Sequence, residues 1–182
     1  MAVLVLDVVT DDLREQAWKI YREAFDPLRL TAVQRHVMYP EEFDAVMADA
    51  RVAKYLVYDA LGGLQGMGTM TNQLRAMPLV SPEYFEGRWP GPYAEGRIYY
   101  IGFVGVHPAA QGTGVFVEIV QHMTKRVAAV DGVAVLDFCT HTNERLKLPR
   151  AIRTLVASWA SHVEMVELDA QTYIGFDFMR AG

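Results

Sequence analysis

IYYIGFVGVHPAAQGTGVFVEIV, residues 98–120, holds three patterns in succession. Ile98–Val106 is an almost unbroken apolar run and predicts a buried strand. His107-Pro108 and the small residues Ala109, Ala110, Gln111, Gly112, Thr113 and Gly114 interrupt it. From about Gly114 to Ala129, Phe116, Ile119, Val120, Met123 and Val127 fall on one side. Glu118, Gln121, His122 and Lys125 fall opposite, which predicts a helix with one face on a sheet. Glycines let a loop turn tightly and approach a ligand without a Cβ in the way. The first amides of a helix lack internal partners, and the helix dipole adds partial positive charge there. Such a loop predicts a cradle for a pyrophosphate. The pattern Gly-x-x-x-x-Gly-Lys-Ser/Thr is absent, as is the three-glycine dinucleotide fingerprint.

Working outward, Ala2–Val9 reads as a first buried strand, followed by a helix to about Phe25 that Pro27 ends. A second helix is expected over Glu41–Ala50. Val52–Ala60 and Leu64–Thr71 read as strands joined by a Gly62-Gly63 turn. Gln73–Arg97 shows no period and carries four prolines, which predicts a long irregular connection. Its aromatics Tyr84, Phe85, Trp89 and Tyr93 either cover a pocket or pack the loop down. Val133–Thr140 reads as a strand and Arg145–Trp159 as a helix. Val163–Leu168 with Tyr173–Phe178 reads as a terminal hairpin. The expected architecture is α/β, one domain over residues 1–182, with a mixed central sheet flanked by helices.

At 182 residues, 52% hydrophobic and 21% charged, the composition is that of a globular domain with a sizeable core. A net charge of -5 lacks the whole-domain basic footprint of a nucleic-acid binder. One cysteine, Cys139, excludes an intrachain disulfide framework and suits a reducing compartment. The apolar start is too short for a membrane span and has no basic lead, so the expected location is cytoplasmic, without a membrane partner. His36, His107, His122 and His162 form no close ligand pair, so no metal is expected.

Gln111, Gly112, Thr113 and Gly114, after a strand ending in Val106-His107-Pro108, resemble motif A of the GNAT acetyltransferases, Gln/Arg-x-x-Gly-x-Gly/Ala. Phe116 stands where that family carries Gly or Ala. The element order resembles the family across nearly the whole chain. The resemblance implies the acyl-CoA N-acyltransferase fold, with acetyl-CoA or another acyl-CoA as cosubstrate. It implies a bulge in the motif-A strand, whose exposed amides over Phe103–Val106, chiefly Val104 and Val106, bind pantetheine and the thioester carbonyl. A backbone donor at the developing oxyanion is worth roughly 3–4 kcal/mol of barrier. It also implies that the amides of Gly112, Thr113, Gly114, Val115 and Phe116 hold the pyrophosphate. Asn143 stands where a family Asn touches the cofactor, or else caps the following helix.

The family's Glu base and Tyr acid have no counterpart: Tyr99 or Tyr100 stands at the first position, and no Tyr lies between Asn143 and Trp159. Tyr100 is a candidate acid or substrate wall, and Asp137 a group to orient His141 or a water. Cys139 and His141, two apart on one expected strand face, pair a thiol with a base, although a lone Cys is more often a packed hydrophobe. Glu95 is a candidate for binding the amine. Lys125, Arg126, Lys147 and Arg150 read as solvated charges, one or two of which can meet the 3′-phosphate of coenzyme A.

The expected reaction is acyl transfer, acetyl foremost, to the amine of a small molecule by direct attack. The acceptor is placed under Gln73–Arg97 and Asp26–Pro40, where Arg29, Arg35, His36 and Tyr39 suggest an apolar or acidic portion. Two alternatives stand beside it: a coenzyme A-binding protein with little catalysis, and a related enzyme using a longer acyl chain or a non-amine acceptor. A homodimer is left open.

Overall fold

The computed structural model describes residues 2–78, 80–160 and 162–178. Its sheet has the order β1-β2-β3-β4-β5. These strands are β1 (Val3–Leu6), β2 (Ala53–Tyr58), β3 (Leu64–Thr71), β4 (Ile98–Val106) and β5 (Val133–Val135). The first four are mutually antiparallel, and β5 runs parallel to β4. Helix α1 (Asp11–Phe25) opens on two acids and carries Arg22 in its last turn, matching its dipole. Helix α2 (Pro40–Ala48) starts on proline, and Glu42 accepts from the Tyr39 amide at 2.7 Å.

Alternation along the strands divides the core between the two sheet faces. On one face Tyr21, Phe43, Leu56 and Met67 pack with Phe103 between α1 and α2. On the other, Tyr55, Val57, Met70 and Ile101 meet Val115, Ile119 and Met123 of α5 (Val115–Ala128). Helix α5 lies directly on the backbone of β3. A Cβ at Gly66 would stand 2.4 Å from Val115 Cγ1, and one at Gly68 would stand 2.8 Å from Met123 Cε. Lys54 is fully buried; its Nζ donates to the Asp7 and Asp49 carbonyls, both at 2.7 Å.

Several expectations need correction. Residues 73–97 are not irregular: a 3-10 turn at Leu74–Ala76 is followed by α3 (Pro82–Arg88) and α4 (Pro90–Ala94). Of the four prolines, Pro82 and Pro90 begin these helices and Pro92 lies in the first turn of α4, where a missing N–H costs nothing. β5 stops at Val135 rather than Thr140, and a π turn at His141–Arg145 precedes α6 (Leu148–Ala157). Pro149 lies in the first turn of α6 rather than inside it. The expected hairpin over 163–178 forms no ladder; this segment is tied down by Tyr84 Oη donating to the Leu168 carbonyl and Tyr173 Oη donating to Gln34 Oε1, both at 3.3 Å. With no strand pairing its outer side among the described residues, β5 has nothing to extend it.

Candidate functional site

Strands β4 and β5 pair only over Ile98–Tyr100 and Val133–Val135, and β4 then runs on for six residues without β5. The β3–β4 register shifts between Thr69 and Met70, so that Thr69 faces Phe103 and Met70 faces Ile101, leaving Gly102 as the bulged residue. The bulge changes which backbone groups face outward. Val133 donates to the Arg97 carbonyl at 2.9 Å, so odd-numbered positions face β5 before the bulge. His107 donates to the Gln65 carbonyl at 2.8 Å, so after the bulge the odd positions face β3. Val104 and Val106 therefore turn their amides to the edge that β5 has left.

The side chains divide differently. Phe103 points into the α1 face, its ring centroid 4.9 Å from Tyr21 and 5.8 Å from Phe25. Val104 and Val106 pack toward α5. At Gly105 a Cβ would stand 3.1 Å from the Phe25 ring, so α1 sits close to the strand there.

Past β4, His107 Nδ1 accepts from the Ala109 amide at 3.1 Å, and its Nε2 lies 3.4 Å from Glu23 of α1. The loop then reverses through Gly112 (φ 79°) and Gly114 (φ 93°), conformations strained for any residue with a Cβ. Gly114 is the N-cap of α5, so the amides of Val115, Phe116 and Val117 have no intrahelical acceptor. The Val115 side chain is buried against the sheet, whereas Phe116 is half-buried. Thr113 braces the loop: its amide and its hydroxyl both donate to the Ala110 carbonyl, at 3.2 and 2.6 Å. Gln111 is exposed. The amides of His107, Ala109, Ala110, Gln111 and Thr113 are used within the strand end and loop. The outward donors therefore fall in two groups. Val104 and Val106 on the open β4 edge suit a thioester and an amide-bearing arm, and the first-turn amides of α5 suit a pyrophosphate.

Two of the acid–base candidates come together where the strands part. The Tyr100 hydroxyl donates to Asp137 Oδ1, and His36 Nδ1 lies 3.9 Å from Asp137 Oδ2. Burial, and then the neighbouring Asp137 charge, push the Tyr100 phenol well above its ordinary value, so it stays protonated at neutral pH. Asp137 is more than half exposed, and His36 is largely buried.

His141 is not part of this cluster's bonding. It opens the π turn, and its carbonyl accepts from Leu146 at 3.2 Å. Cys139 and His141 do not share a strand face, because β5 ends before either. Cys139 instead closes the turn: its carbonyl accepts from the Asn143 amide and the Thr142 hydroxyl, both at 2.9 Å, and its thiol lies 3.5 Å from that hydroxyl. The Asn143 side chain is exposed on this turn.

Other expected contributors are engaged elsewhere. Glu95 binds Arg97 at 2.7 Å, Arg29 binds Asp26 at 2.9 Å, and Arg35 binds Glu42 at 2.6 Å. The guanidinium of Arg35 also lies 4.3 Å over the Tyr39 ring. The basic lining expected around Asp26–Pro40 is thus largely neutralised. Lys125 and Arg126 lie in the last turn of α5, about 15 Å along the axis from the glycine loop at ~1.5 Å per residue. There Arg126 donates to Tyr55 Oη at 3.2 Å, and Lys125 lies 5.9 Å over Trp159. Lys147, in a left-handed conformation, and Arg150 are exposed at the start of α6.

His36 had a signal in sequence only as a wall residue. Nothing local marks its approach to Asp137, about a hundred positions on. Among the described residues no group of three or more His, Cys, Asp or Glu is placed to hold a metal, and no helix is long and apolar enough to cross a membrane.

No family model and no curated protein matches the sequence. Solved structures do match the fold. A protein described as a probable acetyltransferase superposes with a TM-score of 0.58 at 12% identity, over 97% of this chain and 99% of its own. A GCN5-related N-acetyltransferase from Kribbella flavida gives 0.51 at 19% identity, over 83% and 81%. An aminoglycoside acetyltransferase from an uncultured soil metagenomic sample gives 0.53 at 10% identity, over 94% and 95%. With its mixed five-stranded sheet, this chain has the fold of the GCN5-related N-acetyltransferases.

Proposed function

We propose that the protein is an acyl-CoA-dependent N-acyltransferase that moves an acyl group, acetyl foremost, to the amine of a small molecule by direct attack. The observation that carries this reading is the bulge at Gly102, which turns the Val104 and Val106 amides onto the edge vacated by β5, in line with the Gly112–Gly114 loop. When bound, the thioester supplies an activated acyl carbon. The Val104 amide donates to its carbonyl oxygen, and the Val106 amide holds the pantetheine arm. The loop from Gln111 to Phe116 takes the pyrophosphate, and the exposed Asn143, on the turn after β5, is the proposed further contact to the cofactor.

Asp137 supplies what the family's missing Glu would. As a carboxylate it draws in the ammonium form of the acceptor and takes one proton from it, so that the neutral nitrogen attacks; the nitrogen's second proton passes to solvent as the amide forms. Tyr100 holds one of its oxygens, and His36 Nδ1 stands 3.9 Å from the other. A proton released by Tyr100 would leave a phenolate beside a carboxylate, so Tyr100 orients rather than donates. The leaving thiolate takes its proton from solvent. With Arg29 and Arg35 paired, the charge facing the acceptor is that of Asp137, which favours a cationic amine.

The test has two stages. Millimolar acetyl-CoA should stabilise the protein by about 4 kcal/mol if affinity is micromolar, raising Tm by several degrees. Free thiol should then appear faster with a suitable member of a panel of amino acids, polyamines, aminoglycosides and aromatic amines than by background hydrolysis. No thermal shift removes the reading. A shift without amine-dependent thiol favours the second one, a coenzyme A-binding protein, which the commitment of the Tyr100 hydroxyl to Asp137 also supports.

A further inference from the structure

Tyr99, near the start of β4, packs on the α5 face of the sheet with Tyr55, Met70 and Val127. Only 8% of it is exposed, and among the described residues its hydroxyl has no hydrogen-bond partner. A buried phenol ordinarily finds one. What Tyr99 meets instead is a cavity of about 160 Å³ beneath the last turn of α5, where β1 and β3 end and β2 begins. At ~30 Å³ per water, that is the size of several waters or of one small organic molecule. Val104 lies five residues further along β4, roughly 16 Å away at ~3.3 Å per residue, so the cavity is separate from the thioester cleft.

Opposite charges face this cavity. Arg126 of α5 and Asp7, just past β1, both line it, and the two charges attract each other. Neither has an ion-pair partner among the described residues. Arg126 Nη1 donates to Tyr55 Oη at 3.2 Å, which holds the guanidinium in place and leaves its other N–H groups to donate. Lys54 takes only the carbonyl of Asp7, so the carboxylate is left. Arg51, also at the cavity, is by contrast spent on Asp49 at 2.6 Å. Met70 and Ala53 add an apolar wall. A ligand of one sign would leave one of the two charges unmatched, whereas a zwitterion matches both.

We propose that the cavity binds a small α-amino acid. Its carboxylate takes the free edge of the Arg126 guanidinium and the Tyr99 hydroxyl, and its ammonium takes the Asp7 carboxylate. The volume limits the side chain to that of glycine, alanine or serine. No acyl transfer enters the proposal, so it stands or falls apart from the proposed function.

NMR titration of the parent with glycine, alanine and serine tests it. At least one of them should give saturable shifts at the Tyr99 amide and the Arg126 Nε–H group. Its Kd should be about tenfold or more below those of propionate and ethylamine, which each carry one charge. R126Q and D7N should each weaken that binding about tenfold or more, and Y99F, which keeps the packed ring, about threefold or more. Circular dichroism melting checks that each variant is folded, and the three substitutions lie on three different elements. No saturable shift at millimolar ligand overturns the proposal. So does propionate binding as tightly as the amino acids, or folded R126Q and D7N binding as the parent does. Shifts centred on Tyr100 and Asp137 would put the amino acid in the acceptor cleft and likewise overturn it.

Discussion

The Tyr100 hydroxyl donates to the Asp137 carboxylate across the point where β4 and β5 stop pairing. The bond joins a strand residue to a segment with no secondary structure of its own and sets a carboxylate at the head of the open edge. Asp137→Asn keeps the shape and removes the charge. It is expected to lower kcat by ~10²–10³ with the acetyl-CoA thermal shift intact. Tyr100→Phe, which frees Asp137 without neutralising it, should cost less than Asp137→Asn. Amine-dependent thiol release reads both, and an Asp137→Asn enzyme as fast as the parent would remove Asp137 from the proton path.

Gly114 caps α5 at φ 93°, beside Gly112 at φ 79°. Gly114→Asp adds backbone strain and a carboxylate where the proposed pyrophosphate lies. The variant should stay folded yet lose most of the Tm increase given by acetyl-CoA. Retention of the full shift would place the phosphate loop elsewhere.

The elements that build the cleft were legible wherever pattern and boundary agreed. Leu64–Thr71 and Ile98–Val106 match the expected strands at both ends, because the Gly62-Gly63 turn starts the first and His107-Pro108 ends the second. The same reasoning overextended β5, since Val133–Thr140 is equally apolar but only three of its residues find a partner. Prolines misled at 82, 90 and 92, where the residue that breaks a helix interior also begins one. The pairing of Asp137 with Tyr100 and His36 depends on where strands part, and no local spacing encodes that.

The close seating of α5 on β3 predicts an asymmetry between two glycines. Gly66→Ala would drive a Cβ to within 2.4 Å of Val115 Cγ1, at the first residue of α5. It should destabilise by about 1–3 kcal/mol and also weaken acetyl-CoA binding, because the helix start carries the phosphate amides. Gly87→Ala in α3 meets nothing within 4 Å and should be neutral or stabilise by about 0.4–1 kcal/mol. Urea denaturation compares the two, and equal effects would contradict the packing.

Lys54 links stability to pH in the direction opposite to a lysine that gains an acidic partner. Burial is the main cause, and it lowers the ammonium from its ordinary 10.5 to about 8 despite the nearby Asp49 and Asp7 charges. Below that value both folded and unfolded chains hold the proton, and the group adds no slope. Between about 8 and 10.5 the unfolded chain still binds a proton that the folded chain has released, so this group's contribution rises with pH and is complete above 10.5. Lys54→Met should abolish that rise. At neutral pH it also leaves the Asp7 and Asp49 carbonyls, each bonded to Nζ at 2.7 Å, without their donor, at a cost of about 1–3 kcal/mol. Urea midpoints for parent and variant at about pH 7 and about pH 10 read both effects, since the midpoint follows stability when the slope is constant. The gap between the two proteins should be wider at the higher pH. A gap that stays constant would mean that Lys54 keeps its proton in the fold up to its ordinary range.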